Sequence, residues 1–297
     1  MSQTKANVML FLITIFWGSS YLFMKMGLNS IQPFSLIAWR FGIAFCLSSL
    51  IFYRRLLQLD RKIVKRAALL GTILFFVFAF VTVGVKSTST SHAGFLVGFT
   101  VVLVPLFSAI FLKKKPEKRV IIGAGAAMCG IGLLTLNHGF AISQGDIFCL
   151  MTAVSYAAHI MLTGQLTKNV DSIALGVLQL GFCGGLGALC SLLFESPSIP
   201  TQIESWIAIF SLSIFCSAIG FVVQTVAQKY TTATYTGLIF SLEPVFAALF
   251  GYLFLEEVLP LKGYFGAALV LFGVIYAQVQ SGKQKRQSIA ARKAMEM

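Results

Sequence analysis

Ser241-Leu242-Glu243-Pro244-Val245-Phe246-Ala247-Ala248 sets a carboxylate directly before a proline in the middle of an apolar run. An earlier stretch, Gly98 to Val104-Pro105-Leu106-Phe107, repeats its frame: Gly98, Pro105 and Phe107 precede Gly237, Pro244 and Phe246 by 139 positions. After a two-residue slip, Gly125 and Gly132 precede Gly266 and Gly273 by 141. Both copies lie in apolar segments long enough to cross a bilayer, so the chain reads as a duplicated bundle of membrane helices. An odd number of spans in each copy would invert one against the other, the layout of many alternating-access carriers.

Working outward, 57% of the residues are hydrophobic and 11% charged, with a mean hydropathy of +0.86. That composition excludes an ordinary soluble domain. A spanning helix needs ~20 apolar residues. Ten segments meet this: Val8–Leu28, Phe34–Tyr53, Ala67–Val85, Ser91–Leu112, Val120–Leu136, Asp146–Gln165, Ala174–Phe194, Trp206–Ala227, Tyr235–Leu255 and Leu261–Gln278. The expected fold is therefore all-α and integral to the membrane, with ten transmembrane helices in two inverted five-helix repeats. The repeats are expected at 1–140 and 141–280, followed by a basic cytoplasmic tail at 281–297. The first segment is too long for a signal-peptide core and lacks a small-residue cleavage site, so it is read as retained. The six cysteines fall inside spans without a CxxC pair, which suits packing rather than disulfides or metal ligation.

The net charge of +13 is placed asymmetrically. With the N-terminus inside, nineteen of the 23 lysines and arginines fall on the cytoplasmic side, concentrated in Arg54–Arg66, Lys113–Arg119 and the tail. The positive-inside rule then puts both termini in the cytoplasm of a plasma membrane, the bacterial inner membrane. The basic runs would meet anionic lipid at that face. No aromatic interleaving accompanies them, so a nucleic-acid partner is not expected.

Polar groups inside spans carry the functional reading, because a charge at mid-bilayer costs ~2.5–3.5 kcal/mol and must face the bundle interior or water. Glu243 sits before a proline that removes a helix donor. It either meets substrate or caps a kink between helices. Arg40, a third of the way through the second span, either binds a carboxylate or phosphate or pairs with Glu243 as structural glue, with the weight towards structure. Helical spacing gathers further candidates: Trp17, Tyr21 and Lys25; Thr152, Tyr156, His159 and Thr163; and Ser213, Ser217, Gln224 and Gln228. From these, Trp17, Tyr21, Arg40, Tyr156, His159, Gln224 and Glu243 are the expected lining of a substrate cavity. Pro105 and Pro244 are the expected kinks or gating points. The glycines, Gly125 and Gly132 among them, are expected to allow close helix approach. No metal site, cofactor or catalytic constellation is expected: the three histidines are far apart, and no GxSxG, HExxH or Walker motif occurs. Nor is there a nucleotide-binding domain, so coupling would come from a gradient, exchange or downhill flow.

Trp17-Gly18-Ser19-Ser20, Trp39-Arg40-Phe41, Lys86-Ser87-Thr88-Ser89, Ala93-Gly94-Phe95-Leu96 and Val104-Pro105-Leu106 stand in the first half. Gly145-Asp146, the Glu243-Pro244 segment, Glu256-Glu257, Gly266-Ala267-Ala268-Leu269 and Gly273 stand in the second. From Val8 to Gln280 the chain resembles EamA-type members of the drug/metabolite transporter superfamily. The resemblance implies a basket of helices around a central cavity, with spans five and ten peripheral or at a homodimer contact. It also implies traffic in amino acids, their derivatives or related metabolites. Lys113-Lys114-Lys115-Pro116 departs from the acidic ending of the second repeat. The first helix also lacks the acidic residue that small multidrug-resistance relatives use for proton antiport. The leading expectation is a secondary transporter of small polar or zwitterionic metabolites. The alternatives are a proton-coupled exporter of amphipathic toxic compounds, or a non-transporting membrane sensor or assembly protein.

Overall fold

A computed structural model describes residues 1–88, 90–113, 116–135, 143–197, 199–255 and 260–278. The expected basic tail and Glu256-Glu257 lie outside the described residues. All regular structure among the described residues is helical. In chain order the helices are α1 (Gln3–Gly18), α2 (Ser20–Leu28), α3 (Pro33–Ile51), α4 (Tyr53–Leu56), α5 (Arg61–Ser87), α6 (Thr90–Gly98), α7 (Thr100–Phe111), α8 (Lys118–Thr135), α9 (Gln144–Leu166) and α10 (Ser172–Phe194). They continue through α11 (Ile203–Ser211), a π-helical segment (Leu212–Ile219), α12 (Gly220–Gln228), α13 (Ala233–Phe240), α14 (Glu243–Leu255) and α15 (Leu261–Gln278). Among the described residues, eight helical runs are long and apolar enough to cross a membrane: Gln3–Leu28, Pro33–Ile51, Arg61–Ser87, Ala93–Phe111, Gln144–Leu166, Ser172–Phe194, Ile203–Gln228 and Ala233–Leu253.

Hydrogen bonds sort the connections into two ends. At one, Arg66 donates to the carbonyls of Leu166 (2.6 Å) and Lys168 (2.8 Å), closing the C-terminus of α9. Arg55 pairs with Asp171 at 3.0 Å, and Asp171 accepts from the first amides of α10. Thr231 donates to Asn7 at 2.8 Å. The basic connections after α3 and α9 therefore share one end with the N-terminus. At the opposite end Glu195 caps α3, accepting from the amides of Phe34 (2.8 Å) and Ser35 (2.9 Å). There Ser143 and Asp146 form a capping box for α9, while Ser30 donates to Ser205 at 2.6 Å.

α8 and α15 pack against each other more extensively than any other pair of helices. They are antiparallel and interlock through glycine: a Cβ on Gly123 would lie 2.5 Å from the Gly273 carbonyl oxygen, and one on Gly130 would lie 2.6 Å from that of Gly266. The reverse contacts are equally short. Gly125, expected to serve this purpose, has nothing within 4 Å of a built Cβ. The close approach therefore belongs to the glycine two residues earlier, which lies on the opposite helix face.

Four runs are interrupted in mid-course. The first breaks at Ser19, the fourth at Phe99, and the one built from α13 and α14 at Ser241-Leu242. The fourth interruption is the π-helical segment between α11 and α12. Pro244 is the second residue of α14, directly after the break, and brings no amide donor for the Phe240 carbonyl. Pro105 stays inside α7, and the break in that run falls six residues earlier.

Candidate functional site

Residues next to these interruptions line one buried cavity. It is lined by Trp17, Ser20, Tyr21 and Met24 from the first run, Arg40 from α3, Val77, Phe78 and Val81 from α5, and Val97 from α6. Thr152 and Tyr156 from α9, Phe221 from α12 and Glu243 from α14 complete it. Its free volume is about 50 Å³, room for a few waters at ~10–15 Å³ each. A smaller recess of about 20 Å³ adjoins it, sharing Tyr21, Val97, Tyr156 and Glu243.

Trp17 is fixed by the π-helical segment. An i→i+5 register leaves carbonyls off the regular helical ladder, and the indole Nε1 donates to one of them, Cys216 O, at 2.7 Å. Gly220 makes this possible, since a Cβ there would sit 2.6 Å from Nε1. The indole then packs edge-on against Phe240 at 4.7 Å between centroids and tilted against Phe221 at 5.2 Å. Tyr156 stacks on Phe240 at 6.1 Å.

Arg40 is 2% exposed. Its Nε donates to Ser217 Oγ at 2.7 Å and its Nη1 to Ser20 Oγ at 3.5 Å. The guanidinium carbon lies 4.4 Å from the Phe78 ring centroid and 5.2 Å from that of Phe41, distances at which a desolvated cation gains from the ring faces. Glu243 lies across the same cavity, half-buried. No ion pair joins Arg40 and Glu243, whose charged atoms stay beyond 4.0 Å. The expectation that they pair as glue is thus not met. A guanidinium and a carboxyl group instead face one aromatic-walled space, each without an ionic partner among the described residues.

His159 and Gln224, also expected in the lining, lie outside it. His159 is fully buried, its Nε2 3.0 Å from Gln179 Oε1, and Gln179 donates to Thr225 at 2.9 Å. Gln224 donates to Gln228 Oε1 at 3.0 Å, and Gln228 to the Ile160 carbonyl at 2.9 Å. These residues form a polar layer joining α9, α10 and α12. In it His159 Nδ1, Thr163 Oγ1 and Gln224 Oε1 have no partner. On one side His159 faces Tyr156 and Phe221, with ring centroids 6.3 and 6.1 Å away. On the other, Gln228 lines a larger opening of about 340 Å³ at the basic end. Among the described residues no cluster of three metal-ligating side chains occurs.

The residues that sequence reasoning did not single out are Met24, Val77, Phe78, Val81, Val97 and Phe221. An apolar side chain in an apolar span carries no signal of the direction it faces. Ser217 was visible as part of a polar stripe, but its bond to Arg40 was not.

The sequence profile of the EamA-like transporter family matches residues 4–136 and again 143–277. The chain belongs to the EamA-like transporter family. This EamA-like chain is 30% identical over 275 residues to an uncharacterized transporter of Archaeoglobus fulgidus, covering 93% of this chain and 86% of the relative. It is also 27% identical over 293 residues to the uncharacterized transporter YyaM of Bacillus subtilis, covering 93% and 94%. A solved crystal structure superposes on 93% of the chain and 97% of its own with a TM-score of 0.79 at 21% identity, a likeness of fold. Family membership and the apolar helices make it a multi-pass membrane protein of the transporter type.

Proposed function

We propose that this EamA-like chain is a secondary transporter that moves a small zwitterionic metabolite, an amino acid or a derivative, by alternating access. One observation carries the reading: the basic Arg40 and the acidic Glu243 line the same cavity without pairing with each other. Holding two such charges apart in a low-dielectric site is costly unless a ligand with complementary charges enters between them. A carboxylate would take the Arg40 donors that Ser217 and Ser20 leave over, and an ammonium would take Glu243. Trp17, Tyr21 and Tyr156 would pack on the apolar part of the molecule.

The rest of the proposal is architectural. α8 and α15, at 18 residues each, would be ~27 Å long at 1.5 Å per residue, close to the hydrocarbon thickness. They would raise the spans to ten, five in each repeat. The reciprocal glycine contacts of these antiparallel helices are what an in-plane pseudo-two-fold axis would produce. Trp17 and Tyr156, which meet at 6.3 Å across the cavity, are separated by the same 139 residues as Pro105 and Pro244. In the proposed orientation the basic end, its termini and the wider opening face the cytoplasm, against anionic lipid. At about 50 Å³ the central cavity must widen to take a substrate.

The test is uptake and counterflow in proteoliposomes with a pool of labelled amino acids, nucleosides and cofactors, with and without a pH gradient. Saturable exchange of a zwitterion without the gradient supports the proposal. Flux only with the gradient would make Glu243 a proton carrier. Absence of flux for every compound, in folded protein, would overturn it.

A further inference from the structure

The opening of about 340 Å³ at the basic end is larger than the central cavity and its recess, and the proposed function gives it no ligand. The polar layer of Gln224, Gln228 and His159 separates it from the central cavity, so it is a distinct space. Its volume falls within the range of small-molecule sites, ~300–1,000 Å³. Lys168 and Lys229 stand at its rim with one carboxylate, Glu117. α13 begins in its wall: the Thr232 side chain accepts from the Tyr235 amide, while Ala233 and Thr234, the first two residues of the helix, line the opening. The first amides of a helix have no partner within it and carry partial positive charge. A second feature points the same way. Ser108 in this wall is 5% exposed, and its hydroxyl has no hydrogen-bond partner.

We propose that this opening is a second binding site, a loading vestibule for the carboxylate of the transported molecule at the basic end. The two lysines and the start of α13 would hold the anion before it passes the polar layer. The identity of the molecule rests on the transporter reading above; the anion preference of the site does not.

The test reads the vestibule directly and needs no flux. Thr234→Cys is placed in a chain whose exposed cysteines, Cys46 and Cys129, are replaced by alanine, and the protein is reconstituted in phosphatidylcholine vesicles. The thiol is then treated with a sulfonate-bearing methanethiosulfonate or its trimethylammonium counterpart. The anionic reagent should react faster. Lys168→Gln with Lys229→Gln should lower the anionic-to-cationic rate ratio roughly three- to tenfold, an effect that high salt abolishes. Glycine and acetate should slow the modification, whereas methylamine should not. A rate ratio indifferent to the two lysines, or protection by methylamine equal to that by acetate, would overturn the proposal. So would a lysine effect seen only when phosphatidylglycerol is added, which would assign those cations to lipid headgroups. Vestibule selectivity without flux would leave the anion site standing and defeat only the transporter reading.

Discussion

Replacing Arg40 by glutamine removes one charge from the central cavity while keeping a side chain that can still bond Ser217. A guanidinium has five N–H donors, of which Ser217 and Ser20 occupy two, leaving three for a ligand carboxylate. Hydrogen bonds to charged groups contribute ~1.5–3 kcal/mol. At 1.36 kcal/mol per decade, Arg40→Gln should therefore raise the KM for a zwitterionic substrate ~10- to 150-fold. The fold should tolerate the change: it gives up the contact with Phe78, worth about 0.5–2 kcal/mol, but also relieves the desolvation of a cation that is 2% exposed. The assay is initial-rate counterflow of the substrate and of its decarboxylated amine, in wild type and variant at matched reconstitution. Arg40→Gln should penalise the zwitterion and spare the amine. A KM within about twofold of wild type, or an equal penalty for both compounds, would refute the assignment of Arg40 to the carboxylate.

Glu243→Gln should show the mirror pattern, a KM ~10- to 150-fold higher for the zwitterion and little change for the deaminated acid, read by the same assay. Gly130→Ala would place a Cβ 2.6 Å from the Gly266 carbonyl oxygen, so it should cost ~1–3 kcal/mol by overpacking and lower the thermal midpoint in detergent. Gly125→Ala, with open space around it, should hold or raise that midpoint. Gly220→Ala should push a methyl against an indole anchored on Cys216, again costing ~1–3 kcal/mol, with Trp17 fluorescence shifting as the ring leaves its place. Pro244→Ala supplies an amide for Phe240 O and should raise thermal stability while lowering turnover, because the break beside Glu243 closes.

The duplicated Pro-Phe frame and the placement of basic runs made a helical membrane bundle legible, because bilayer thickness and charge asymmetry act on sequence directly. Trp17, Tyr21, Arg40, Tyr156 and Glu243, which share one cavity, stood out because polar and amphipathic groups are costly in hydrocarbon. His159 and Gln224 stood out for the same reason yet lie in a separate layer. Helical spacing gives the face of a residue but not which neighbouring cavity it reaches. His159 is three residues, ~4.5 Å along the axis, past Tyr156, enough to leave the lining. Gly125 and Gly123 differ by two residues, about 200° around the helix, so matching glycines by sequence offset chose the wrong face. Phe78 and Phe221 were illegible, since apolar residues in apolar spans face lipid, neighbours or cavity with the same signature.

The central claim is that Arg40 and Glu243 hold the two ends of one carried molecule. It is tested most directly by equilibrium counterflow of the best-exchanged amino acid in proteoliposomes bearing wild type, Arg40→Gln or Glu243→Gln. The account predicts exchange by wild type and a sharp loss of apparent affinity in both variants at normal folding and insertion. Unchanged exchange in both variants would contradict it.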